Sequence, residues 1–65
     1  MSRELQILNK LMASEKMRDK FKLLEDLDNE YSIYYAIQDM LKLRRIKVTE
    51  LEARGIFELY LLNYA

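Results

Sequence analysis

The C-terminal segment, residues 49–65, is predicted to be a helix with apolar side chains on two opposite sides, and this feature constrains the fold most. At about 100° per residue, one broad face comprises Ala53, Ile56, Phe57, Tyr60 and Tyr64. A second face, roughly opposite, comprises Leu51, Leu59 and Leu62. A helix that is apolar on nearly every side must be buried by something, and one small core covers one face. The other face is therefore predicted to contact a second copy or a different protein.

The chemistry of the two faces predicts which one is internal. Leu51, Leu59 and Leu62 are aliphatic and carry no polar tip, so we expect them in the core. The aromatic face has the character that is enriched at binding hot spots. Tyr34 and Tyr35 project about 100° apart on the preceding helix, so both cannot be internal. The predicted protein interface accordingly comprises Tyr35, Phe57, Tyr60 and Tyr64.

The composition predicts a single all-α domain spanning residues 1–65. The chain has no Pro and one Gly, with 51% hydrophobic and 34% charged residues. An all-β fold needs frequent turn residues, and a disordered chain has far fewer apolar residues. A chain this short buries only about 60% of its unfolded surface. Association with a partner is a usual remedy at this size.

The apolar spacing and the capping residues predict a compact bundle of three to four short helices, at about 3–13, 15–27, 30–45 and 50–63. Ser2 is the first predicted cap, and Asp28 and Asn29 are candidate caps before the third helix. Thr49 and Glu52 form a predicted capping box. The apolar stripe moves by about 180° after residue 13, which favours a bend at 13–16 with Ser14 as a cap. The alternative is one long helix with two contact faces.

Catalysis and metal binding are not expected. The chain has no Cys and no His, which are the usual ligands of structural zinc and the usual partners in nucleophilic triads. The acidic cluster comprises Glu25, Asp26, Asp28 and Glu30. A calcium loop starting at Asp26 would need Gly and Glu where Tyr31 and Ile37 stand. We therefore expect no enzyme activity, no cofactor, no metal and no small-molecule substrate.

No segment has the apolar run of a signal peptide or of a membrane span, so we expect a cytoplasmic protein with no membrane partner. Eleven basic and eleven acidic residues balance, which gives no overall attraction to nucleic acid. One basic cluster comprises Lys42, Arg44, Arg45 and Lys47. It precedes a capped helix, as in a helix-turn-helix, but a recognition helix brings polar and basic side chains to base edges. This helix carries Glu50, Glu52 and Glu58 instead, so a nucleic-acid partner is not the favoured expectation.

These observations favour a small non-enzymatic regulator, adaptor or inhibitor that binds a protein partner through an apolar, aromatic helix face. Small cofactor-free helical chains of this composition include phage-borne inhibitors, so a phage or mobile-element origin is one expectation. Two alternatives stay open. One is a DNA-binding transcriptional regulator that uses the basic cluster at 42–47, and the other is a homo-oligomeric structural protein or assembly chaperone.

Overall fold

Four helices make up the described part of the chain. The structure is a computed structural model and describes residues 2–26 and 30–64. The helices are α1 (Arg3–Met12), α2 (Glu15–Asp26), α3 (Glu30–Leu43) and α4 (Glu50–Asn63). No strand occurs within these ranges. The predicted all-α helical bundle is confirmed, while the predicted caps Asp28 and Asn29 lie outside the described residues.

The chain bends between α1 and α2, as the shift of the apolar stripe predicts. The Ser2 hydroxyl oxygen accepts a hydrogen bond from the Leu5 backbone N–H at 3.2 Å and caps α1. The helix ends at Met12, and the Ser14 carbonyl accepts the first hydrogen bond of α2, from the Arg18 N–H at 3.1 Å. The alternative of one long helix is therefore wrong. The bend lets the apolar residues of both helices face one core.

The C-terminal end of α3 is closed by a Schellman motif. The Ile46 N–H donates to the Leu41 carbonyl at 2.8 Å, and the Arg45 N–H donates to the Lys42 carbonyl at 3.0 Å. These two bonds require a left-handed residue at the turn, a position where Gly is usual. Arg45 fills it with a φ of 55°. The helix therefore ends at Leu43, slightly before the predicted boundary.

The start of α4 is fixed by the predicted capping box, which is confirmed. The Glu52 N–H donates to the Thr49 hydroxyl oxygen and the Thr49 N–H donates to the Glu52 carboxylate, both at 3.1 Å. The Glu52 carboxylate also pairs with Arg3, whose guanidinium donates to the Lys47 carbonyl at 2.9 Å. The Thr49 backbone hydrogen bond, and then the charge of Arg3, lower the pKa of Glu52 although desolvation opposes them. This network ties the start of α1 to the start of α4.

One core lies between the four helices. Phe21 of α2 and Tyr60 of α4 pack against each other within it, with ring centroids 5.0 Å apart. Arg3 lies beside Glu52, and the Tyr64 hydroxyl donates to the Asn9 side chain, so α1 and α4 run in the same direction. The buried residues are Ile7, Leu8, Leu11, Met12, Phe21, Ile33, Ala36, Ile37, Met40, Leu41, Ala53, Ile56 and Tyr60.

The predicted orientation of α4 is wrong. Ala53, Ile56 and Tyr60 are buried. Leu51 and Leu62, which were expected inside, are each 81% exposed, and Leu59 is half-buried. The polar tip of Tyr60 does not prevent burial, because its hydroxyl donates to the Glu25 carboxylate at the edge of the core. A buried hydroxyl with a partner costs little.

We expect Thr49→Ala to destabilise the domain by about 1 kcal/mol, because the side-chain half of the capping box is lost. In a domain of this size that corresponds to a melting temperature lower by about 4–8 °C. Thermal unfolding followed by circular dichroism measures it, with Thr49→Ser, which retains the hydroxyl, as the control. An unchanged melting curve for Thr49→Ala would show that the capping box does not stabilise α4.

Candidate protein-interaction surface

Three aromatic rings form a continuous surface where α3 packs on α4. The Tyr34 ring lies 5.8 Å from the Tyr35 ring and 5.7 Å from the Phe57 ring, both in edge-on geometry. Tyr34 and Phe57 are half-buried, whereas Tyr35 is 60% exposed. We call these three residues the aromatic seam. Two of the four residues predicted for the interface, Tyr35 and Phe57, therefore lie in one cluster, joined by Tyr34.

The other two predicted interface residues lie elsewhere. Tyr60 is 1% exposed and belongs to the core, so its prediction as a free contact residue is wrong. Tyr64 is 39% exposed and stacks on Tyr60 with centroids 6.1 Å apart. Its hydroxyl donates to the side-chain amide oxygen (Oδ1) of Asn9 at 2.8 Å. Tyr64 therefore covers the end of the core beside α1.

The side of α4 that faces away from the core carries four exposed residues, which we call the outer face of α4: Leu51, Arg54, Glu58 and Leu62. At about 100° per residue they fall in one arc opposite Ile56 and Tyr60. Leu51 and Leu62, which the sequence predicts in the core, are instead exposed on this face beside Arg54 and Glu58. Arg54 and Glu58 are the sequence signal for this orientation. The opposite side of the helix, which carries Ala53, Ile56 and Tyr60, has no charged residue.

The basic cluster surrounds the turn between α3 and α4, and its four side chains are exposed. Lys42, Arg45 and Lys47 line an open groove of about 950 Å³, together with the carboxylate-bearing Glu50. The apolar lining of the groove consists of Leu41, Ile46, Val48 and Ala53. Arg44 does not line it. The structure thus brings three of the four predicted cations to one groove, with an acidic residue beside them.

The acidic cluster forms no metal site within the described residues. No group of three or more His, Cys, Asp or Glu side chains there is arranged to hold a metal ion. The Glu25 carboxylate accepts the hydrogen bond of Tyr60 instead. Asp28 and the side chain of Glu30 lie outside what the structure describes.

In the part of the chain that the structure describes, each helix is too short or too polar to cross a lipid bilayer.

Comparisons of this chain with protein families, with curated proteins and with solved structures found no match.

We expect the free energy of unfolding to fall less steeply with rising alkaline pH in Tyr60→Phe than in the wild type. Burial, and then the hydrogen bond to Glu25 and its charge, raise the pKa of Tyr60 above its ordinary value of 10.0. Above about pH 10 the folded protein therefore keeps the proton of the Tyr60 hydroxyl, whereas the unfolded chain has lost it. The contribution of Tyr60 to stability is therefore complete below about pH 10 and falls as the pH rises above it.

Urea denaturation from neutral pH to above pH 10 measures this difference. The free energy of unfolding of the wild type should decline more steeply than that of Tyr60→Phe. The exposed Tyr35→Phe variant serves as the matched control and should decline like the wild type. Equal alkaline slopes for wild type and Tyr60→Phe would contradict the buried, hydrogen-bonded state of Tyr60.

Proposed function

We propose that this chain is a non-enzymatic protein-binding module, of the regulator, adaptor or inhibitor kind, that recognises its target through the aromatic seam. The supporting observation is the unbroken ring contact from Tyr35 through Tyr34 to Phe57, with Tyr35 60% exposed. Aromatic residues are enriched in protein interfaces, where they offer large contact areas. Tyr35 is the residue that we expect to anchor the partner.

The packing of the seam favours binding over a purely structural role. Tyr34 and Phe57 are half-buried, and Phe57 packs directly against the core. Tyr35 rests edge-on against Tyr34, so its ring has a fixed support while most of it meets solvent. A side chain that is already positioned loses less conformational entropy when it is buried by a partner. The absence of His and Cys from the sequence also favours contact over nucleophilic chemistry.

The Tyr35→Ala substitution tests this proposal. We expect tagged wild-type protein to enrich a specific partner from its source organism, and Tyr35→Ala to retain it at least about tenfold less well. The matched control is Leu23→Ala on α2, which removes another exposed apolar side chain, 68% exposed. Quantitative mass spectrometry compares the amount of partner retained by the wild type and by the two variants, and circular dichroism confirms that all three have equal helicity. Equal recovery by wild type and Tyr35→Ala, or no enrichment by the wild type, would contradict the proposal.

A second candidate function is contact with duplex DNA through the basic cluster. The observation that favours it is the convergence of Lys42, Arg45 and Lys47 on one groove. Glu50 lines the same groove and Glu58 is exposed on the following helix, and both would repel phosphates. Protein recognition through the seam is therefore the better-supported proposal.

A titration of duplex DNA by fluorescence anisotropy separates the two candidates. We expect at most salt-sensitive binding in the non-specific range of about 10⁻⁴–10⁻⁶ M. The double substitution Arg44→Glu/Arg45→Glu should abolish this binding while the helicity is kept. A nanomolar affinity at physiological salt that the double substitution removes would contradict this expectation and favour the DNA-binding alternative.

A further inference from the structure

We propose that the outer face of α4 binds the same face of a second copy, with the two helices antiparallel around a two-fold axis. The starting observation is that Leu51 and Leu62, near the two ends of α4, are each 81% exposed. Arg54 and Glu58 lie between them and are also exposed. This face is separate from the aromatic seam, so the inference does not depend on the proposed function.

The spacing of the two leucines places them on the same line along the helix. Eleven residues correspond to about 16 Å of rise and to three turns plus about 20°. Leu51 and Leu62 therefore point in nearly the same direction, away from the buried Ile56 and Tyr60. Two leucines at the ends of a short helical face form the apolar part of a contact that another helix can cover.

The charges between the leucines select the antiparallel arrangement with a second copy. If Leu51 lies opposite Leu62 of the second copy, Arg54 comes within one residue of Glu58 of that copy. The two-fold axis repeats this pairing, so the leucine contact and the opposite-charge contact each form twice. A parallel pair would instead set Arg54 against Arg54 and Glu58 against Glu58. The face is thus complementary to itself in one orientation only.

The two charged side chains are available for this pairing. Within one copy, the ion pair found among the described residues joins Arg3 to Glu52, and none joins Arg54 to Glu58. Arg54 precedes Glu58 by four residues, and this order is the weaker one for an ion pair along a helix. Across the two-fold axis each charge meets an opposite charge beside the apolar contacts of the leucines.

The contact would be small and leave the seam accessible. One pair of short helix faces buries less than the standard interface of about 1,600 Å², so the dimer should be reversible, with a dissociation constant in the micromolar range or above. Phe57 lies roughly 110° around α4 from the middle of the outer face. A dimer of this kind would present two copies of the aromatic seam and would bind a repeated target bivalently.

Analytical ultracentrifugation of the full chain tests this proposal. The wild type should shift with concentration from the 7.9 kDa monomer toward twice that mass. Arg54→Glu alone and Glu58→Arg alone place like charges across the axis and should each weaken the dimer by about tenfold or more. The exchanged pair Arg54→Glu/Glu58→Arg is again complementary and should restore dimerisation. Restoration of this kind is the coupling that a double-mutant cycle detects. Because the same two charges are also four residues apart along one helix, the comparison is made between variants whose circular-dichroism spectra and melting temperatures are equal.

The leucines supply the apolar control. Leu62→Ser should weaken the dimer, whereas Leu43→Ser, at a residue 80% exposed on α3, should not. A wild type that stays monomeric at every concentration would overturn the proposal. So would single charge variants that dimerise like the wild type, or an exchanged pair that fails to recover. If the wild type is monomeric and binds a different protein, and Leu62→Ser abolishes that binding, the second copy is ruled out. The outer face of α4 would then be the binding site for that protein.

Discussion

The burial of Tyr60 against Phe21 fixes the rotation of α4 about its own axis, and the surface of the bundle follows from that rotation. The Tyr60 ring is buried beside Phe21, with its hydroxyl paired to Glu25 at the edge of the core. With Tyr60 and Ile56 inside, Leu51 and Leu62 must face solvent. The opposite rotation would carry Arg54 and Glu58 toward the core. Moving two charges out of water costs several kcal/mol each unless partners compensate, which exceeds the gain from burying two leucines.

Features that depend on neighbouring residues were predictable from the sequence, and features that depend on contacts between helices were not. The capping box of Thr49 and Glu52 and the Ser2 cap follow from local hydrogen-bonding chemistry, and the structure confirms them. The bend after α1 follows from the rotation of the apolar stripe. The predicted orientation of α4 is wrong because the polar tip of Tyr60 has a hydrogen-bond partner and the residue is buried. The position of that tip beside Glu25 is a tertiary contact between residues 35 apart in sequence.

The turn between α3 and α4, which we call the corner, likewise combines features that the sequence predicts with one that it does not. Basic residues at the end of α3 and a capped start of α4 were predictable, whereas the left-handed conformation of Arg45 was not. A residue other than Gly in that conformation costs about 1–2 kcal/mol. The two hydrogen bonds of the Schellman motif and the packing of Ile46 against the core offset this cost. The corner sets α3 beside α4 and so brings Tyr34 to Phe57, a contact between helices that the sequence pattern does not show.

Thiol labelling of single cysteine variants tests the orientation of α4 most directly, since the chain has no cysteine of its own. Leu51→Cys, Ala53→Cys and Leu62→Cys should be compared at a concentration where the protein is monomeric. The thiols at positions 51 and 62 should react at nearly the rate of a free peptide. The thiol at position 53 should react slower by about a hundredfold or more, because its exposure requires local or global unfolding. Equal rates at positions 53 and 62, or protection at 62 with reactivity at 53, would contradict this orientation of α4.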